Sequence, residues 1–319
     1  MSRMKATWIG FAGLLTVGTG CSITAVSRTE LAEVVDREGI AFPAGEIPGA
    51  VVDRFAANRL VVIGETHHLQ AHDDFVITLL DSLYDRGFRQ LLLESPHMVD
   101  WVVEEYVSGA TNLGWEPPGW FYYDIIQAVR GFNATVAPDD RIHLRSIDAN
   151  LDEYGGAQDF RGLVGLLAGY LPSPGPLSAF LAGGYGTPAV QTARLDVLDQ
   201  ELDARETELR SLWGDRWYEQ VRETVDVERV SVQIRAERKK EYERSVRRRE
   251  GEMKRLADLR LEGYPQRSLM NVGCTHAQKE RLMGTDIEWL GDYLVHKSTS
   301  VGGRSMVLCT TAARVLPRS

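Results

Sequence analysis

Two apolar runs that each close on a glutamate restrict the fold of this chain more than any other feature. "RLVVIGE" (59–65) and "RQLLLESP" (89–96) are built from valine, isoleucine and leucine, and neither shows the polar alternation of a half-exposed strand. Short runs of this kind are strands covered on both faces. Between them, "AHDDFVITLLDSLYDRGF" sets Phe75, Leu79, Leu80 and Leu83 on one stripe of a helix that stops at Gly87. Strand, helix and strand with short returns form a βαβ unit, whose strands run parallel. Glu65 and Glu94 are then expected at the carboxyl edge, where open α/β sheets hold their ligands.

The remaining elements extend the same pattern. "HMVDWVVEEYVSG" and "DIIQAVRGFNATV" carry helical spacing, and "GWEPPGWFYYD" between them reads as an aromatic, proline-bearing loop, either a substrate-facing lid or a packed connection. "RIHLRSIDAN" reads as a third strand ending near Asp148. From Gly155 to Val190, glycine and proline interrupt short apolar pieces; residues 193–262 turn strongly helical, with leucine, tryptophan and valine at three- and four-residue steps. Within that segment, residues 235–255 hold ten basic and five acidic side chains, expected to form a solvated helix face of interleaved charges rather than a lipid-binding patch. "SLMNVGCTH" predicts a strand ending in His276, followed by a helix around "DIEWLGDYLVHK" and a last strand "SMVLCTT". The expectation is an α/β fold with a mostly parallel central sheet flanked by helices, and a long charged helical segment in the second half.

The N-terminus belongs to a different class of segment. "MSRMKATWIGFAGLLTVGTGC" joins Arg3 and Lys5 to an apolar stretch and then to small residues before Cys21, the plan of a signal peptide. Gly18, Thr19 and Gly20 before the cysteine resemble a bacterial lipobox, so residues 1–21 are expected to direct export and Cys21 to carry a lipid anchor. Residues 22–55 follow as a tether and a short helix, and residues 56–319 as the α/β domain, with 193–262 as an insertion-like helical segment. The chain of 319 residues carries a formal net charge of −9, against the basic face that a nucleic-acid binder needs. Cys274 and Cys309 sit in apolar, strand-like surroundings, as buried thiols or as one disulfide.

The expected strand ends carry the chemistry. Three of the seven histidines, His67, His68 and His72, follow Glu65 directly; Glu94 ends the second strand and His276 the fourth. A glutamate accepting from one ring nitrogen fixes the tautomer of a histidine and raises the basicity of the other nitrogen, which can then take a proton from water. The same side chains are also of the types that hold a divalent metal. No serine elbow of the GxSxG type, HExxH helix, P-loop or strand-borne GxGxxG accompanies them.

In their order along the chain, "VVIGETHH", "LLLESPHMVDWVVEEYVSG", "AVRGFN", "LRSIDAN", "REGEM" and "NVGCTH" resemble the erythromycin esterase-like family, which is similar to the haem-binding ChaN-like and the Tiki/TraB proteins. The resemblance runs from Val61 to the C-terminus. It implies a hydrolase that splits an ester or related acyl bond in a small-molecule or acyl substrate; the N-terminal segment adds the expectation that it is exported, lipid-anchored in the cell envelope or secreted. It implies Glu65 with His68 as the water-activating pair, Glu94 as a second acidic residue and His276 as the C-terminal histidine. Arg130, Arg249 and His72 are expected around them, the arginines either orienting acidic residues or capping helices. The ChaN/Tiki pattern, with histidine two places after the glutamate, instead makes His67 the working residue. No cofactor is required in the leading reading; haem binding in the ChaN-like manner, or a Tiki-like peptidase using a divalent metal, are the alternatives. In all three, a membrane is met through the anchor.

Overall fold

The computed structural model describes residues 45–67, 69–119, 121–151, 156–279 and 285–309. The signal-like segment with Cys21, and His68 itself, lie outside the described residues, as does the Cys309 side chain. Among the described residues there are five strands and eleven α-helices.

The fold is α/β. α1 (Gly49–Ala56) leads into β1 (Leu60–Glu65), α2 (Gln70–Tyr84) and β2 (Phe88–Pro96). A short 3-10 turn (His97–Val99) starts α3 (Asp100–Val107), and α4 (Tyr123–Asn133) precedes β3 (His143–Asp148). Then come α5 (Gly156–Tyr170), α6 (Pro176–Ala182), α7 (Pro188–Ala204), α8 (Glu206–Trp213), α9 (Asp215–Arg238) and α10 (Tyr242–Leu261), before β4 (Arg267–Gly273), α11 (Leu290–His296) and β5 (Ser305–Cys309). The sheet order is β3-β2-β4-β1-β5. β1 pairs in parallel with β4 (Ile63 opposite Asn271, Glu65 opposite Gly273) and with β5. Every residue of β1 is buried, which is why its sequence lacks alternation.

β4, from the far end of the chain, lies between β1 and β2. Two expectations are amended. β4 ends at Gly273, so His276 sits in the turn beyond the strand rather than at its end. The glycine-interrupted stretch after residue 155 folds as α5 and α6, and the helical segment already starts at Pro188, where Thr187 accepts from the Val190 amide as a cap.

The chain divides into two compact units. The first takes residues up to Leu91, Gly119–Ala128 and residues from Gly263 on. There α2 buries Phe75, Val76, Leu79, Leu80 and Leu83, and Gly87 at φ +83° makes the turn into β2 that an L side chain would strain. α11 packs on β5, and its Gly291 lies so close to the Ala277 carbonyl that a Cβ would meet the oxygen at 2.4 Å. The second unit takes Leu92–Pro118 and Val129–Glu262. Here α3 and α10 pack on β3, and α9 packs on α7, α8 and α10. No described helix is long and apolar enough to cross a membrane.

Candidate functional site

Glu65 ends β1 with its carboxylate 4% exposed, in the first unit. Three donors reach it. Tyr122 Oη donates to Oε1 at 2.9 Å, Asn271 Nδ2 donates to Oε2 at 2.7 Å, and His67 Nδ1 lies 2.9 Å from Oε1. Burial pushes the Glu65 carboxyl up, but the bonds from His67, Asn271 and Tyr122 outweigh it and hold it below its usual value. The result is a fixed, ionised carboxylate gripping one ring nitrogen of a histidine whose side chain is 47% exposed. In a neutral imidazole that contact places the proton on Nδ1 and leaves Nε2 as the basic nitrogen. Glu65 thus meets His67; His68 lies outside the described residues.

Two of these partners were not singled out from the sequence. Asn271 left a usable signal, since a polar amide in the middle of the buried run "SLMNVG" demands a partner. Tyr122 stood in the aromatic loop, where nothing in the residue pattern tells a lid from a ligand of Glu65.

Further side chains of the first unit act on this group electrostatically. His72 is buried in the first turn of α2; burial lowers its imidazole, Glu65 pulls the other way, and His67 adds to the depression. Its neighbour Asp73 is pushed up to about 6, first by burial and then by repulsion from Glu65, Asp124 and Asp74. Gln70 donates to Asp124 Oδ2 at 2.8 Å, which ties the segment carrying Tyr122 to α2. His276, 7% exposed, packs edge-on against Trp289 with ring centroids 6.0 Å apart, and its carbonyl accepts from the Gly291 amide.

The second unit holds the other predicted carboxylate. Glu94 is 2% exposed near the end of β2, and Arg249 Nη2 donates to its Oε1 at 2.7 Å. The same guanidinium forks onto Asp148 at the end of β3, through Nε to Oδ1 at 2.9 Å and Nη2 to Oδ2 at 2.5 Å. Arg249 therefore orients acidic residues, one of the two roles expected for it. The loop after β3 is pinned as well. Asn150 accepts from the Met98 amide, donates to Glu228 and receives Arg235 on its carbonyl. Arg130 takes the other role. Its Nη1 donates to the Tyr106 carbonyl at 2.6 Å and its guanidinium stacks on the Tyr106 ring, so it caps α3 instead of contacting Glu94 or Asp148. The same unit contains a charged cleft of about 840 Å³ whose wall is already paired, with Arg145 bidentate on Asp100 and His143 on Glu104. Among the described residues, no group of three or more His, Cys, Asp or Glu side chains is arranged to hold a metal ion.

No family model matches the chain, and no curated protein matches it in sequence. Solved structures do match in fold. A histidine-to-asparagine mutant of the erythromycin esterase EreC, in its open conformation, superposes with a TM-score of 0.56 at 12% identity, over 80% of this chain and 71% of that one. A protein from Bacillus cereus gives 0.55 at 13% identity, covering 81% of this chain and 66% of its own. A succinoglycan biosynthesis protein gives 0.55 at 14% identity, with 80% and 68% covered. The chain shares the fold of these proteins.

Proposed function

We propose that this protein is a hydrolase of the erythromycin esterase-like kind, in which Glu65 and His67 activate water against an ester or related acyl bond. The observation that carries the reading is the 2.9 Å contact between His67 Nδ1 and the buried, triply held Glu65 carboxylate. Nε2 takes a proton from water as the oxygen attacks the acyl carbon, and Glu65 stabilises the imidazolium that forms. The imidazolium returns the proton to the leaving oxygen as the acyl bond breaks, so the ring ends as it began. The fold shared with EreC supports the class of protein; the substrate is left to assay. Export and anchoring through Cys21 belong to the same proposal, supported by the signal-like first 21 residues. A membrane fraction that loses the protein on Cys21→Ser would bear this out.

The purified mature protein is to be assayed on a panel of esters, lactones and peptides, with and without chelator. Turnover that His67→Ala abolishes is the expected result, and a silent panel removes the proposal. Activity restored only by added divalent metal would move the reading to a Tiki-like peptidase. The second reading, ChaN-like haem binding, is favoured by the same observation, because His67 is half-exposed and occupies the position two after the glutamate. A haem titration separates the two: a Soret shift lost in His67→Ala supports binding, and an unchanged spectrum discards it.

A further inference from the structure

Tyr122 breaks two local rules at once. Its φ is +44°, and among the described residues it is the one non-glycine side chain in the left-handed region. For a bulky aromatic residue that conformation is an outlier, of the kind that persists only where the surroundings impose it. Its carbonyl also accepts from the Ile126 amide at 2.9 Å, which puts it in the N-cap place of α4, where serine, threonine, aspartate, asparagine or glycine is favoured. A small polar residue would satisfy both demands. Tyrosine satisfies neither, and what it gains is its phenol, which donates to Oε1 of Glu65, the same oxygen that faces His67 Nδ1. Local cost without local benefit points to a functional constraint.

The setting holds the residue in that place. Phe121, buried beside it, meets the Tyr122 ring edge-on with centroids 5.8 Å apart, and the Gln70–Asp124 bond ties the start of α4 to α2. With Asn271 holding Oε2 from β4, the phenol on Oε1 removes the carboxylate's freedom to rotate. We propose that Tyr122 is a positioning residue, whose strained backbone delivers the phenol that locks Glu65 onto His67 and so keeps the imidazole proton on Nδ1. This rests on the hydrolase reading above only for its effect on rate. The geometric claim, that Tyr122 sets the tautomer of His67, stands apart from any substrate.

The test is Tyr122→Phe in the full mature chain, which keeps the ring and removes one hydroxyl. Two readouts are taken: 15N shifts of the His67 ring above its titration range, and kcat and KM on whichever ester the wild type turns over. The melting temperature reports whether the fold is kept. The expected result is a rise in the Nε2–H tautomer of His67 and a fall of about 10-fold in kcat at unchanged KM, less than the loss of the base itself would cost. Unmoved His67 shifts in a folded Tyr122→Phe overturn the proposal even if the wild type is an active hydrolase. Moved shifts in a protein that hydrolyses nothing uphold the positioning role and sink the hydrolase reading. A loss confined to KM would assign Tyr122 to substrate contact and also overturn it. If Tyr122→Phe does not fold, Tyr122→Asn, which suits the left-handed N-cap place and also removes the phenol, is read by the same shifts: a rise in the Nε2–H tautomer supports the role, and unmoved shifts count against it.

Discussion

The two units bury their strand-end carboxylates by opposite means. In the first, Glu65 is held by an amide, a phenol and an imidazole. In the second, Glu94 and Asp148 share the Arg249 guanidinium, and Asp100 is gripped by Arg145 and Arg260. Burial alone would raise the Asp100 carboxyl, but those arginines hold it far below the usual carboxylate range, and His97 with Arg260 holds Glu223 down at about 2 despite its burial. A carboxylate neutralised by a guanidinium has its charge spent on the pair and exchanges no proton near neutral pH. Among the described residues, the side chains bonded to Glu65 are an amide, a phenol and a histidine that can gain and lose a charge. The difference is between a carboxylate paired with guanidinium groups and one held by neutral donors and a histidine.

The largest effect expected from that contrast is on rate. His67→Ala removes the proton acceptor and should cost about 10²–10⁴-fold in kcat/KM, while His68→Ala costs much less. The reverse order would shift the base to His68, the residue the resemblance pairs with Glu65. In the second unit the expected loss is stability. Arg249→Met leaves Asp148, fully buried, and Glu94 without their shared cation, and breaking such a buried pair costs about 3–5 kcal/mol. Urea unfolding measures it; a loss under about 1 kcal/mol would mean that the Arg249 contacts do not hold this part of the fold, and the contrast would fail.

Smaller is Asn271→Leu, which removes a hydrogen bond to a charged group, worth about 1.5–3 kcal/mol, and should lower stability while raising the Glu65 carboxyl toward its usual value. Because Glu65 is held low in the fold, its contribution is present above the unfolded value of 4.5 and lost as pH falls through the folded one. Asn271→Leu should shrink that acid-side loss; an unchanged acid limb would show that the amide does not act on Glu65. The effect of Asp73 runs with the opposite sign. Its folded value of about 6 lies above the ordinary 3.8, so between those values the folded chain holds a proton that the unfolded chain has released. Stability contributed by this group is present at low pH and declines as pH rises through about 6. Asp73→Asn should flatten that decline in unfolding measured from about pH 4 to pH 7, and identical slopes would show that neither burial nor the acidic neighbours raise this carboxyl.

Sequence and structure divide the explanation according to the range of the forces involved. Hydrophobic period and length made the strands, α2, the helical second half and the α/β class legible, because local patterning decides which faces are buried. The strand-end pattern picked out Glu65, His67, His68, Glu94 and His276, and the resemblance added Arg130 and Arg249. Only the tertiary structure decided that β4 enters between β1 and β2, bringing Asn271 beside Ile63 and its amide onto Glu65. It also decided that Tyr122, 57 positions along the chain, supplies a second donor to the same carboxylate. Arg130 and Arg249 looked alike in sequence. One caps α3 and the other clamps Glu94 and Asp148, because a guanidinium's role depends on which acceptors the fold brings within about 3 Å, a distance that sequence spacing does not encode.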